Sequence, residues 1–147
     1  MITLYTIGFT KKSAEHFFEL LKKNQVKTLV DIRISNSSQL AGFAKGSDLT
    51  YFLKQIGGIG YRHIVDFAPT KELLSDYRAG KIDWQGYVKT FTDLMNRRAI
   101  NKKYNVANFD RCCFLCSEET PEQCHRRLLA EHLKQQDPEN VRIIHLI

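Results

Sequence analysis

The residues with the most chemistry per position lie late in the chain, at Cys116-Ser117-Glu118 and Cys124-His125-Arg126. They bring two thiols, a carboxylate, an imidazole and a guanidinium into one short segment. A thiolate is the reactive form of cysteine, and a nearby cation or helix N-terminus favours it. Cys116 and Cys124 are therefore candidates for a nucleophilic or redox role, or else two side chains packed at a tight corner. Glu118 is a candidate nucleophile or base and His125 a candidate acid/base group. Ser117 and Arg126 are candidates to hold an anion. Between the two clusters, Thr120-Pro121-Glu122-Gln123 predicts a helix start: Thr120 as N-cap, Pro121 at the first position, Gln123 closing a capping box. The unpaired N–H groups and positive end of that helix would face Ser117–Glu119 and suit an anion.

The four cysteines all lie between residues 112 and 124. Cys113 and Cys116, joined by Cys124 and His125, have the ligand count of a zinc site. If residues 112–116 form a strand, however, side chains alternate, and Cys113 and Cys116 point to opposite faces. Cys112 and Cys116 share a face but stand roughly 13 Å apart. The reading is no metal on this cluster, with Cys112 and Cys113 as small buried hydrophobes. His125 shares a helical face with Leu128, Leu129, His132 and Leu133. His132 reads as a half-buried structural histidine.

The elements that must position these groups alternate in type. Ile2–Ile7, Lys27–Ile34, Tyr61–Val65, Arg111–Cys116 and Val141–Leu146 read as strands. Helical patterns fill Ser13–Asn24, Asp48–Ile56 behind Ser47, Pro69–Arg78, Asp83–Ala99 with Asp83 as N-cap, and the segment after Thr120. Gly57-Gly58 ends the second helix. Strands separated by helices predict one α/β domain over residues 1–147: a mainly parallel open sheet of about five strands with helices on both faces. The first, second and fourth strands are expected to be neighbours. Such sheets bind ligands beyond the carboxyl ends of their strands. That rule picks out Gly8, Arg33 and Cys116–Glu118. Asp31 and Arg33 share a face of their strand, either as a structural ion pair or with Arg33 holding an anion.

These residues also carry a resemblance. Tyr5-Thr6-Ile7-Gly8, Leu29-Val30-Asp31-Ile32-Arg33, Gly42-Phe43-Ala44-Lys45, Gly60-Tyr61-Arg62-His63 and Leu115-Cys116-Ser117-Glu118 with Pro121 and Cys124-His125-Arg126 resemble the family called domain of unknown function 488. The loop Ser35–Ala41 departs from its usual basic and proline pattern and marks a subgroup. The resemblance implies a fold and a site position, not a reaction.

The chain carries 22 Lys and Arg against 16 Asp and Glu, a formal net charge of +6. That favours anionic partners. The basic residues come as scattered pairs, and no RNA- or DNA-binding signature accompanies them. The N-terminus reads as a strand rather than a signal peptide, and no apolar run is long enough to span a bilayer, so a cytoplasmic protein without a membrane partner is expected. No cofactor is expected: neither a Walker A sequence nor a dinucleotide fingerprint occurs. The leading reading is a protein that binds, and acts on, a small anionic or nucleotide-like ligand. Gly8, Arg33, Lys45, Ser117 and Arg126 would bind it; Cys116, Glu118, Cys124 and His125 would do the chemistry. The alternatives are a nucleic-acid-associated module and a thiol redox or regulatory protein using Cys116 and Cys124.

Overall fold

Cys112–Cys116 is apolar at every position, and all five residues are buried. A strand of that kind belongs inside a sheet covered on both sides. In the computed structural model, which describes residues 1–37, 43–118 and 121–147, it is the middle strand of five. The strands are β1 (Ile2–Gly8), β2 (Thr28–Asp31), β3 (Gly60–His63), β4 (Cys112–Cys116) and β5 (Val141–Leu146), in the order β3-β2-β4-β1-β5. Every neighbouring pair is parallel. The expected parallel α/β architecture holds, and β1, β2 and β4 are contiguous as expected.

Alternation along β4 feeds two separate cores. Cys113 and Leu115 pack with Phe17, Phe18 and Leu21 of α1 (Ala14–Lys23) and with Leu49 and Leu53 of α2 (Gly46–Gly57). Cys112, Phe114 and Cys116 face the other way. There they meet α3 (Lys71–Arg78), α4 (Trp84–Arg97), the short α5 (Ile100–Lys103) and α6 (His125–Lys134). No helix among the described residues is long and apolar enough to cross a membrane.

Local chemistry sets most of the helix ends. Ser13, Thr70 and Asp83 each accept the N–H of the residue three positions on, at 3.1, 3.1 and 2.8 Å, which satisfies one of the unpaired donors of each helix. Gly58 closes α2 in the left-handed region, at φ 61°, as a helix-ending glycine does. Ser47 does not cap α2. The helix starts earlier, at Gly46, whose N–H is taken by the Asn36 carbonyl at 2.6 Å, so a side-chain cap is not needed. β2 stops at Asp31 rather than Ile34, because Arg33 folds back: both its backbone N–H and its Nε donate to Asp31 Oδ1, at 3.1 and 2.9 Å.

The start of α6 is the main departure. Thr120, the expected N-cap, lies outside the described residues, as do Glu119 and Ser38–Gly42. Pro121 to Cys124 form a turn, closed by the Cys124 N–H on the Pro121 carbonyl at 3.3 Å. The helix begins at His125 with Cys124 in the cap position. Gln123 does not complete a capping box; its Oε1 accepts from the Tyr77 hydroxyl at 3.0 Å. A tertiary bond has won over a local one.

Candidate active site

β1, β2 and β4 are parallel, so their carboxyl ends share one edge of the sheet. Gly8 lies beside Cys116 in the register of β1 and β4. The turn after β4 brings Cys124 and His125 back to the same edge. A cavity of about 310 Å³ opens there. Its walls include Arg33, Cys116, Ser117, Glu118, Cys124 and His125. Six of the nine residues singled out in the sequence thus line one space. Gly8 and Arg126 lie behind the wall. Lys45, at the start of α2, does not line the cavity.

Gly8 is required by a close approach. A side chain there would overlap the Glu118 carbonyl oxygen and lie 2.6 Å from Arg126 Nη1. Arg126 is fully buried. Its Nη1 donates to the Glu118 carbonyl at 2.5 Å and to Cys116 Sγ at 3.3 Å, with Cys124 Sγ at 3.9 Å. Arg126 therefore pins the Ser117-Glu118 loop over the end of β1 and presents positive charge to both sulfurs. Burial lowers the affinity of Arg126 for its proton.

The sulfurs of Cys116 and Cys124 are in contact across the strand-to-helix corner, with Cα atoms 7.8 Å apart. Cys112 and Cys113 are buried away from them. Burial pushes the Cys112 thiol up to about 11 and the Cys113 thiol well above its ordinary range, so neither is a thiolate near neutrality.

His125 Nε2 lies 2.9 Å from the Ile32 carbonyl. A carbonyl only accepts, so Nε2 carries the proton and Nδ1 keeps its lone pair. Burial pushes the imidazole down to about 4, and the ring is neutral at physiological pH.

Asp31 is fully buried. It accepts from Arg33 Nε and Nη2, at 2.9 and 2.6 Å, and from the Tyr61 hydroxyl at 2.6 Å. Arg33 is 7% exposed. Its Nη2 also reaches the Ala44 carbonyl at 2.7 Å, and its guanidinium stands 5.3 Å from the Phe9 ring centre. Nε and Nη2 make the structural ion pair with Asp31, while Nη1 is buried without a hydrogen-bond partner among the described residues.

The opposite wall was not foreseen. Tyr77, Tyr87 and Leu74 close the cavity together with Arg78 and Pro69. Tyr77 and Tyr87 lie 5.1 Å apart, and Trp84 stacks on Tyr87 at 5.2 Å with planes 13° apart. Burial raises the Tyr87 hydroxyl above its ordinary range, which keeps it protonated. In the sequence these aromatics fall within the helical patterns Pro69–Arg78 and Asp83–Ala99. Nothing local marks them as cavity wall, since that depends on α3 and α4 packing over the strand ends.

No curated protein and no solved structure matches the chain. A family model does match, over residues 13–133 of 147, a span that holds Arg33, both cavity cysteines, Glu118, His125 and Arg126. The chain belongs to the family described as domain of unknown function DUF488.

Proposed function

We propose that the chain binds a small anionic ligand carrying a planar ring, of nucleotide-like chemistry, in the cavity at the carboxyl edge of the sheet. The observation that carries this reading is Arg33 Nη1. A buried guanidinium N–H without a partner is costly, and this one belongs to a residue of the cavity wall. An anionic oxygen of a ligand is the group that satisfies it. Arg78 and the start of α6 add positive potential. The aromatic wall of Tyr77 and Tyr87 supplies a stacking surface opposite. Glu118, at the solvent side, is the group placed to act as a base on such a ligand.

A panel of nucleotides, nucleosides, sugar phosphates and short oligonucleotides tests the reading by thermal unfolding. A ligand at about 100 times its Kd adds about 2.7 kcal/mol, which for a chain of this size raises Tm by about 5–10 °C. Arg33→Lys keeps a cation for Asp31 but lacks the Nη1 donor, and it should lose most of the shift. No shift with any phosphate or nucleotide, or an undiminished shift in Arg33→Lys, overturns the reading. A response confined to oligonucleotides favours the nucleic-acid alternative. The sulfur contact between Cys116 and Cys124 supports a second reading, thiol redox chemistry at the same corner, and a midpoint potential measured against glutathione addresses it.

A further inference from the structure

We infer that Cys116 Sγ, Cys124 Sγ and His125 Nδ1 form a three-ligand site for a zinc-class metal ion, with the fourth coordination position open to the cavity. The alternation of β4 separates Cys113 from this corner, but it does not bear on Cys116, Cys124 and His125. The two sulfurs and a ring nitrogen of His125 all lie within 4.8 Å of one another, and Nδ1 is the nitrogen that the Ile32 carbonyl leaves with its lone pair. Around a tetrahedral zinc ion, with bonds of about 2.3 Å to sulfur and 2.0 Å to nitrogen, ligand atoms stand about 3.5–3.8 Å apart. Side-chain rotations that part the two sulfurs and draw in the imidazole, each by about an ångström or somewhat more, reach that spacing. The 7.8 Å between the two Cα atoms exceeds the roughly 6.8 Å upper span of ordinary disulfides. The backbone spacing therefore suits two ligands of one ion, once the sulfurs, now in contact, turn apart.

The surroundings fit the same assignment. Imidazoles that ligate metals almost always give their other ring N–H to a carboxylate or a backbone carbonyl. His125 does so through Nε2, onto the Ile32 carbonyl at 2.9 Å. Arg126 Nη1, 3.3 Å from Cys116 Sγ, donates to sulfur and offsets thiolate charge in a buried place. Two sulfurs and one nitrogen select a borderline-soft ion such as Zn(II) over magnesium or calcium, which take oxygen. Binding releases one proton from each thiol to solvent and changes no oxidation state. Cys116 and Cys124 then act as ligands rather than nucleophiles. Water or an anionic oxygen takes the fourth position.

The test uses the full chain, reduced and stripped with chelator, titrated with Co(II) and then Zn(II). The expected result is one equivalent of cobalt, with thiolate-to-cobalt absorption in the near ultraviolet, tetrahedral bands in the visible, and displacement by zinc. Cys124→Ser and His125→Ala should each weaken zinc binding more than about 100-fold, beyond the 10–100-fold typical of outer groups; Cys113→Ala should leave it intact. X-ray absorption of the zinc-loaded parent, which needs no variant to fold, should count two sulfur ligands and an imidazole. Absence of the thiolate–cobalt band in the reduced parent, unchanged affinity in both ligand variants, or a sulfur-free absorption spectrum overturns the assignment. Arg33→Lys should keep the cobalt spectrum, so failure of the anion reading and failure of the metal site are distinguishable.

Discussion

Replacing Gly8 with alanine puts a methyl group where the backbone of the 117–118 loop already runs. The added carbon overlaps the Glu118 carbonyl oxygen and lies 2.6 Å from the Glu118 carbonyl carbon and from Arg126 Nη1. Ordinary carbon contacts are about 3.5–4.0 Å, so the loop must withdraw by about 1 Å or more. The neighbour that has to move is backbone, not the tip of a flexible side chain. Overpacking of this kind costs about 1–3 kcal/mol. The withdrawal also stretches the 2.5 Å bond from Arg126 to the Glu118 carbonyl, and a hydrogen bond from a charged donor is worth about 1.5–3 kcal/mol. The expected loss is about 3 kcal/mol, or a fall in Tm of about 6–12 °C for a chain of this size. Gly58→Ala is the reference. Its φ is 61° and no atom stands within 4 Å of the added carbon, so only the left-handed backbone penalty of about 1–2 kcal/mol applies. Thermal and urea unfolding of the three proteins measure the difference. A Gly8→Ala variant within about 0.5 kcal/mol of the parent, the range of neutral surface changes, would refute the close packing of loop, strand end and arginine on which the site rests.

Other outcomes follow from the same structure. In reduced, chelator-treated native protein, at most two of the four cysteines should react with a thiol reagent at pH 8; Cys112, held at about 11, and Cys113, held higher, should react only after denaturation, and four fast thiols would contradict this. Asp31→Asn removes the charge that Arg33 pairs with in a buried place, and unfolding free energy should fall by about 3–5 kcal/mol. By contrast Asp76→Asn, whose Lys81 partner is 4.0 Å away on the surface, should change it by about 0–1 kcal/mol; equal effects would contradict the burial argument. Burial lowers His125, His132 and His145 below their ordinary range. Each binds its proton more readily unfolded than folded. Stability of the metal-free protein should therefore be complete above about pH 6.5 and decline as pH falls below it, continuing to about 4 for His125. Urea midpoints that stay flat or rise between pH 7 and pH 5 would contradict this.

The strands and their parallel arrangement were legible because their signals are local. β4 is five apolar residues in a row, and the helices between strands leave few other arrangements. The edge that gathers Arg33, Cys116, Glu118 and His125 followed from the same topology. The α6 start was misjudged because Pro121 and Gln123 carry a strong local helix signal. Gln123 instead meets Tyr77, 46 residues away in sequence, and no local pattern reports such a bond. Strand periodicity bears on Cys112, Cys113 and Cys116 but not on the set of Cys116, Cys124 and His125, because the distance across a corner is invisible to it. Lys45 was chosen from a motif, yet its position at the start of α2 keeps it out of the cavity wall. The aromatic wall was missed for the same reason as the Tyr77 bond: packing of one layer on another decides it.

The strand order also governs when the protein is able to fold. Among the described residues β1 pairs only with β4 and β5, and both lie beyond residue 111. Of the first three strands, only β2 and β3 pair with each other. A ribosome that has released the first 110 residues therefore holds a β1 with no strand to join and a two-stranded ribbon with an open edge. Pairing of such sequence-distant segments is slow, because a long loop must close before any contact rewards it. Until β4 inserts between β2 and β1, both apolar faces of the nascent chain stay exposed, and this is the stage at which capture by a chaperone or aggregation competes with folding.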